Sequence, residues 1–239
     1  MKQENTLSAF LLGASILLGL SVLGYLLAGA AINWKEYERS VTVKGLSERE
    51  LPADIVIWPI VFTEAGNELG DLYASIDTST GKIKDFLVSK GIDISEITAS
   101  SPSITDKLAQ QYNNTTKAEL RYTALQTVTV YSPKVDLVRK VMTELAELGK
   151  QGIAFTGGDY QNQPEYIFTG LNKIKPEMIQ EATTKAREVA LKFAGDSNSQ
   201  LGKIKQASQG QFEVNPRDKN NPHIKKIRVV STVEYYLSD

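Results

Sequence analysis

Apolar residues run from Leu7 to Ile32 without one charged neighbour, and beyond that point they break into short, patterned groups. At about 1.5 Å per residue a helix over this run would be roughly 39 Å long, more than a ~30 Å hydrocarbon core requires. The pattern predicts a short N-terminal tail over 1–6, a transmembrane signal-anchor helix over 7–33 and a juxtamembrane linker over 34–39. Leu7, Phe10, Leu18, Leu23, Leu27 and Ile32 are its expected anchor residues. A secretory signal has a shorter apolar centre of about 7–15 residues, so length favours a retained anchor. Ala28-Gly29-Ala30 nevertheless offers the A-x-A pattern of signal cleavage, and that reading stays open. Ala9 with Gly13 and Gly24 with Ala28 are small residues four apart, a spacing that permits close helix approach in lipid or reflects the general surplus of such residues in membrane helices. Trp34 and Tyr37 fit either an interfacial belt or packing against the following domain.

From Ser40 to Asp239 the periodicity alternates between two and three to four. "SVTVKGLSERELPADIVIWPIVFTEAGNE" predicts two strands, the first ending near Gly45 and the second beginning after Pro52. Pro59 interrupts the second and suggests an edge or a bulge. Asn67 is the expected cap of a helix with Leu72, Ile76, Ile83 and Leu87 on one face, closed by Gly91. One strand is expected over Ile97–Ile104 and another over Tyr122–Tyr131, with the polar tip "QQYNNTTKAE" between them. Ser132 and Pro133 should open the next helix and Gly149 close it. Two short strands follow, then a helix opened by Pro176 with Ala182, Ala186, Ala190 and Ala194 four apart, stopped at Gly195. Two closing strands flank "QFEVNPRDKNNPH", the longest expected loop. Paired strands between helices predict an α+β fold of antiparallel sheets packed with three main helices. The alternation hints at two related halves, although no sequence repeat supports them.

Composition then removes chemistry. There is no cysteine, so disulfides, thiolate metal sites and cysteine nucleophiles are excluded. The only histidine, His223, lies in a polar stretch and reads as a loop residue, and one histidine cannot build a multi-histidine metal site. Lysine and arginine nearly balance aspartate and glutamate, and no basic patch is visible for a nucleic acid. Lys2 before the apolar run and Lys35 and Arg39 after it leave orientation weakly specified. The short tail favours export of the larger part, giving a single-pass inner-membrane protein with its C-terminal domain in the periplasm or outside the cell.

Glu48, Glu50, Asp54 and Glu64 are the candidate carboxylates of an enzyme, a reading that needs two of them in one pocket. Asp54 has a plainer role as acceptor of backbone N–H groups in a turn. A ligand- or client-binding module would need a concave groove lined by Tyr122, Tyr131 or Tyr160. Asn113 and Asn114 are glycosylation sequons that read better as an exposed turn.

"VTVKGLSEREL" with "PAD" just after it, "EATTKAREVALKFAG" leading to "LGKI", and the terminal "VVSTVEYYL" together resemble the SIMPL-domain family. That resemblance implies an exported bacterial α+β domain over 40–239 that tends to form ring-like homo-oligomers, associated with envelope and stress phenotypes. It supplies no catalytic, cofactor or metal residues, so none is expected here. The expected partners are the bilayer and further copies of the chain, with a client or small ligand unidentified. Pro59 and the terminal-strand residues Ile227, Val229, Val233 and Tyr235 are the candidate oligomer interface, if their edges are free to pair.

Overall fold

The computed structural model describes residues 3–36, 39–109, 119–156 and 162–238. Helix α1 (Gln3–Glu36) precedes strands β1 (Ser40–Pro52) and β2 (Ile55–Gly66) and helix α2 (Leu69–Ser89). A 3-10 turn (Ile94–Glu96) leads to β3 (Ile97–Ala99), β4 (Ser103–Asp106) and β5 (Tyr122–Ser132). Helices α3 (Val135–Glu144) and α4 (Ala146–Gly149) are followed by β6 (Ala154–Phe155), β7 (Glu165–Ile167) and α5 (Leu171–Asp196). Strands β8 (Gln200–Gln209), β9 (Glu213–Pro216) and β10 (Ile224–Ser238) complete the chain. The class is α+β with antiparallel sheets, as the periodicity predicts.

Two compact units emerge, and their segments interleave along the chain rather than dividing it into successive halves. One comprises Arg49–Ile174 with Glu213–Ile227; the other comprises Met1–Glu48, Lys175–Phe212 and Arg228–Asp239.

The first unit is built on a six-stranded sheet ordered β3-β5-β2-β6, with β4 also on β5 and β7 also on β2. Its central pair, β2 and β5, keeps one register from Val56↔Ser132 to Gly66↔Tyr122. Alternation therefore turns Val56, Trp58, Ile60 and Phe62 inward beside Ala124, Val128 and Val130. Leu72, Ile76, Ile83, Phe86 and Leu87 of α2 and Val135, Val138 and Val141 of α3 close this core. Each such side chain contributes about 1.5–3 kcal/mol by leaving water.

Several local expectations shift here for identifiable reasons. The single strand expected over Ile97–Ile104 is two, β3 and β4, both paired with β5 on either side of Pro102. Asn67 does not cap α2; Glu68 holds that position, and the Asn67 side-chain Oδ1 accepts the Arg121 N–H at 3.0 Å. Helix α3 starts at Val135, and the Ser132 hydroxyl accepts the Lys134 N–H at 3.1 Å just ahead of it. Gly91 ends α2 with φ +93°, as predicted, whereas the left-handed residue after α4 is Gly152 (φ +89°) rather than Gly149. The expected long loop near the C-terminus contains β9, and Asp218 organises its turn by accepting the N–H groups of Asn220 and Asn221. Arg217 and those bonds hold the Asp218 carboxyl at a pKa of about 2.

The second unit places α5 on β1, β10 and β8, in a sheet of that order. Ala186 and Ala190 pack with Val43, Val233 and Tyr235, and Val41 and Leu201 border them. Gly45, expected near the end of the first strand, lies inside β1 and is buried. A methyl group there would overlap the Ala182 carbonyl oxygen and approach the Ala186 nitrogen to 2.5 Å. Glycine is required because the helix backbone crosses the strand at this point. Helix α5 begins before Pro176, which lies inside it. It also outruns Gly195, and the chain turns instead at Asn198, whose φ is 51°.

Candidate functional site

The candidate carboxylates do not converge. Glu50 lies 3.8 Å from Arg217, and Glu64 accepts the Ser79 hydroxyl at 2.6 Å inside the sheet–helix layer. Glu48 is exposed and has a partner of its own. Asp54 accepts the Thr169 N–H at 2.9 Å and its hydroxyl at 2.8 Å. The Asp54 N–H in turn donates to the Ile167 carbonyl at 2.9 Å, and the Ala53 N–H to the His223 carbonyl at 2.7 Å. "PAD" is thus a clamp that ties the β1–β2 corner to the chain after β7. Asp54→Ala is expected to cost about 1–2 kcal/mol in urea unfolding, the size of a lost charge-assisted pair at a part-exposed site. An unchanged midpoint would mean that the clamp contributes nothing.

His223 is more enclosed than a loop histidine. Its ring meets Tyr166 edge-on, centroids 6.0 Å apart. Burial pushes its pKa below the usual 6.5; Arg139 and Arg217 act in the same direction, and Asp136 and Asp218 oppose them. The unfolded chain therefore takes up the proton first. Stability is expected to fall as pH drops below 6.5, to level off beneath the folded-state pKa, and to owe nothing to this group above 6.5. Melting at about pH 7.5 and about pH 5.5 should show this loss in the wild type and less of it in His223→Gln. Equal losses in both chains would show that another group is responsible.

Lys225 was not singled out by the sequence reading. It is buried, and desolvation lowers its pKa against an opposing pull from Glu165. The signal was its parity, because it alternates in step with Ile227 and Val229 on the inward side of β10.

Tyr122 and Tyr131 do not line one groove together. Tyr122 belongs to the inward parity of β5 and Tyr131 to the outward parity, near opposite ends of the strand. Tyr160 lies outside the described residues, as do Asn113, Asn114 and Tyr37.

The expected interface residues are also placed differently. Strand β10 has β1 on one side and β8 and β9 on the other, so it is internal. Ile227, Val229, Val233 and Tyr235 are buried in the chain's own fold, which removes them as an accessible edge. Pro59 is on an internal strand too, paired opposite Thr129 of β5. The Val61 carbonyl accepts the Thr156 N–H at 2.9 Å, away from β5. Residues two apart on a strand direct their backbone groups to the same side. The missing Pro59 N–H therefore falls between β6 and β7, where no strand among the described residues requires it. Among the described residues the four-stranded sheet ends instead at β1 and β8, and β8 is exposed at every position but Leu201.

Helix α1 contains one segment, Ser8–Ala30, that is long and apolar enough to cross a membrane, and none of it is buried. Phe10, Leu18, Leu23 and Leu27 are all more than half exposed. The side chains of Leu7, Ile32 and Trp34 lie outside the described residues. A methyl group added at Gly13 or Gly24 would meet nothing within 4 Å, so the small-residue positions face open space alongside Ala9 and Ala28.

A family model described as SIMPL, protein of unknown function (DUF541), matches residues 41–234. The chain belongs to the SIMPL family. A search of curated proteins finds no match. The SIMPL span draws on segments of both compact units and leaves α1 outside it. Three of the SIMPL motifs pack together: β1 with Gly45, the alanine face of α5, and β10 with Val233 and Tyr235. A small-residue strand position and a small-residue helix face are matched because the two backbones approach so closely.

Proposed function

We propose that this SIMPL protein is a membrane-anchored component of the cell envelope. Its helix α1 sits in the inner membrane, and its folded part lies in the periplasm or outside the cell. There it self-assembles into a ring- or cage-like homo-oligomer with a structural or stress-protective role and no catalysis. The observation that carries the anchoring is Ser8–Ala30, 23 residues of apolar helix with no burial in its own fold. In water such a surface is unfavourable, and a bilayer satisfies it. Self-assembly is supported by the edge strands β1 and β8, which terminate the four-stranded sheet.

The test is the native mass of the detergent-extracted full-length protein, with intact subunit mass from the same sample. One large multiple of a subunit that retains residues 1–32 is the expected result. A monomer lacking those residues would overturn it and leave a signal-cleaved binding module for a ligand or client as the better account.

A further inference from the structure

The six-stranded sheet has a second face, opposite the one that α2 and α3 cover. On β2 and β5 it presents Ile57 beside Tyr131, Pro59 beside Thr129, Val61 beside Thr127 and Thr63 beside Leu125. The β2 members are part-exposed, while Leu125 is 39% and Tyr131 51% exposed. Register along the pair shows no bulge, so the surface is regular. Among the described strand positions that share this parity, the only charged residue is Glu165, at the β7 end. Charged residues make up 23% of the chain, and a face of six strands almost free of them stands apart from the rest. The Thr123 hydroxyl, of the same parity, is buried with no partner among the described residues.

We infer that this outward face docks against the same face of a second copy of the chain, sheet on sheet about 10 Å apart. The occupant follows from the charge pattern. A partner selected by electrostatics would need charges to meet, and there are almost none. A copy of the same face brings no like-charge repulsion into a two-fold contact, in which each residue meets its symmetry mate's surroundings. β-branched and threonine side chains at strand spacing suit such stacking. Copies held in one membrane by α1 also meet at raised effective concentration. This inference rests on the self-assembly reading and specifies its contact: the assembly is made of two-fold pairs and contains an even number of subunits.

Thr127→Lys in the full-length protein puts two ammonium groups opposite each other at the centre of the face. Native mass in detergent should fall to half or less of the wild-type assembly, with the melting temperature unchanged because the site is part-exposed. The absence of cysteine allows a second readout, in which Thr129→Cys is treated with a short bis-maleimide. Most of the chain should then run as a covalent dimer, and Asp77→Cys on the exposed side of α2 should not. A wild-type multimer that Thr127→Lys leaves intact, with no cross-link at residue 129, overturns this contact and leaves self-assembly standing. An odd subunit number overturns it as well. A wild-type monomer overturns the self-assembly reading and this contact with it.

Discussion

Gly45→Ala is expected to destabilise the fold by about 3 kcal/mol or more, while Gly81→Ala stabilises it by about 0.5–1 kcal/mol. The two substitutions add the same methyl group. At Gly45 it meets the Ala182 carbonyl and the Ala186 nitrogen, both backbone atoms that cannot rotate away. Relief requires α5 to lift from β1, which would open the contacts that Ala186 and Ala190 make with Val43, Val233 and Tyr235. At Gly81, inside α2, nothing lies within 4 Å, and alanine reduces the freedom of the unfolded chain at no steric cost. Urea unfolding of both variants beside the wild type measures the contrast. Should Gly45→Ala unfold at the wild-type midpoint, α5 does not cross β1 where the structure has it.

Leu18→Lys with Leu20→Lys is expected to move the protein out of the membrane fraction. Both residues are more than 60% exposed near the middle of Ser8–Ala30. Lysine at the centre of a bilayer helix costs about 2.5–3.5 kcal/mol per residue on insertion scales, so the pair costs roughly 5–7 kcal/mol. None of this segment is buried in the chain's own fold, and the melting temperature of the folded part should be unchanged. Alkaline extraction of membranes followed by thermal melting separates these effects. A double variant that still pellets with membranes would show that α1 is not what holds the protein there.

Where the sequence reading succeeded, the signal was local. The uncharged run that became α1, the inward alternation of β2 and β5, and the four-residue alanine spacing of α5 all follow from chain periodicity. Gly91 was legible because a left-handed turn favours glycine regardless of its surroundings. The misplacements share a different cause. Gly45 resembles a turn residue until the helix that crosses it is known. Pro59 resembles an edge residue until the gap between β6 and β7 shows where its missing N–H points. Asn67 has the chemistry of a cap, but the Arg121 N–H, far along the chain, donates to its side-chain oxygen instead.

Sequence alone determined the membrane-length helix, the α+β class and the absence of cysteine chemistry, since each depends on composition or on periodicity along the chain. Only the tertiary structure decided which strands are edges, and it exchanged β10 for β1 and β8. It also gave each candidate carboxylate its own partner, enclosed His223 against Tyr166, and left one sheet face with Glu165 as its only charged residue among the described strand positions. Those properties depend on which distant segments become neighbours. Periodicity shows which way a side chain points along its own strand, but not what stands opposite it.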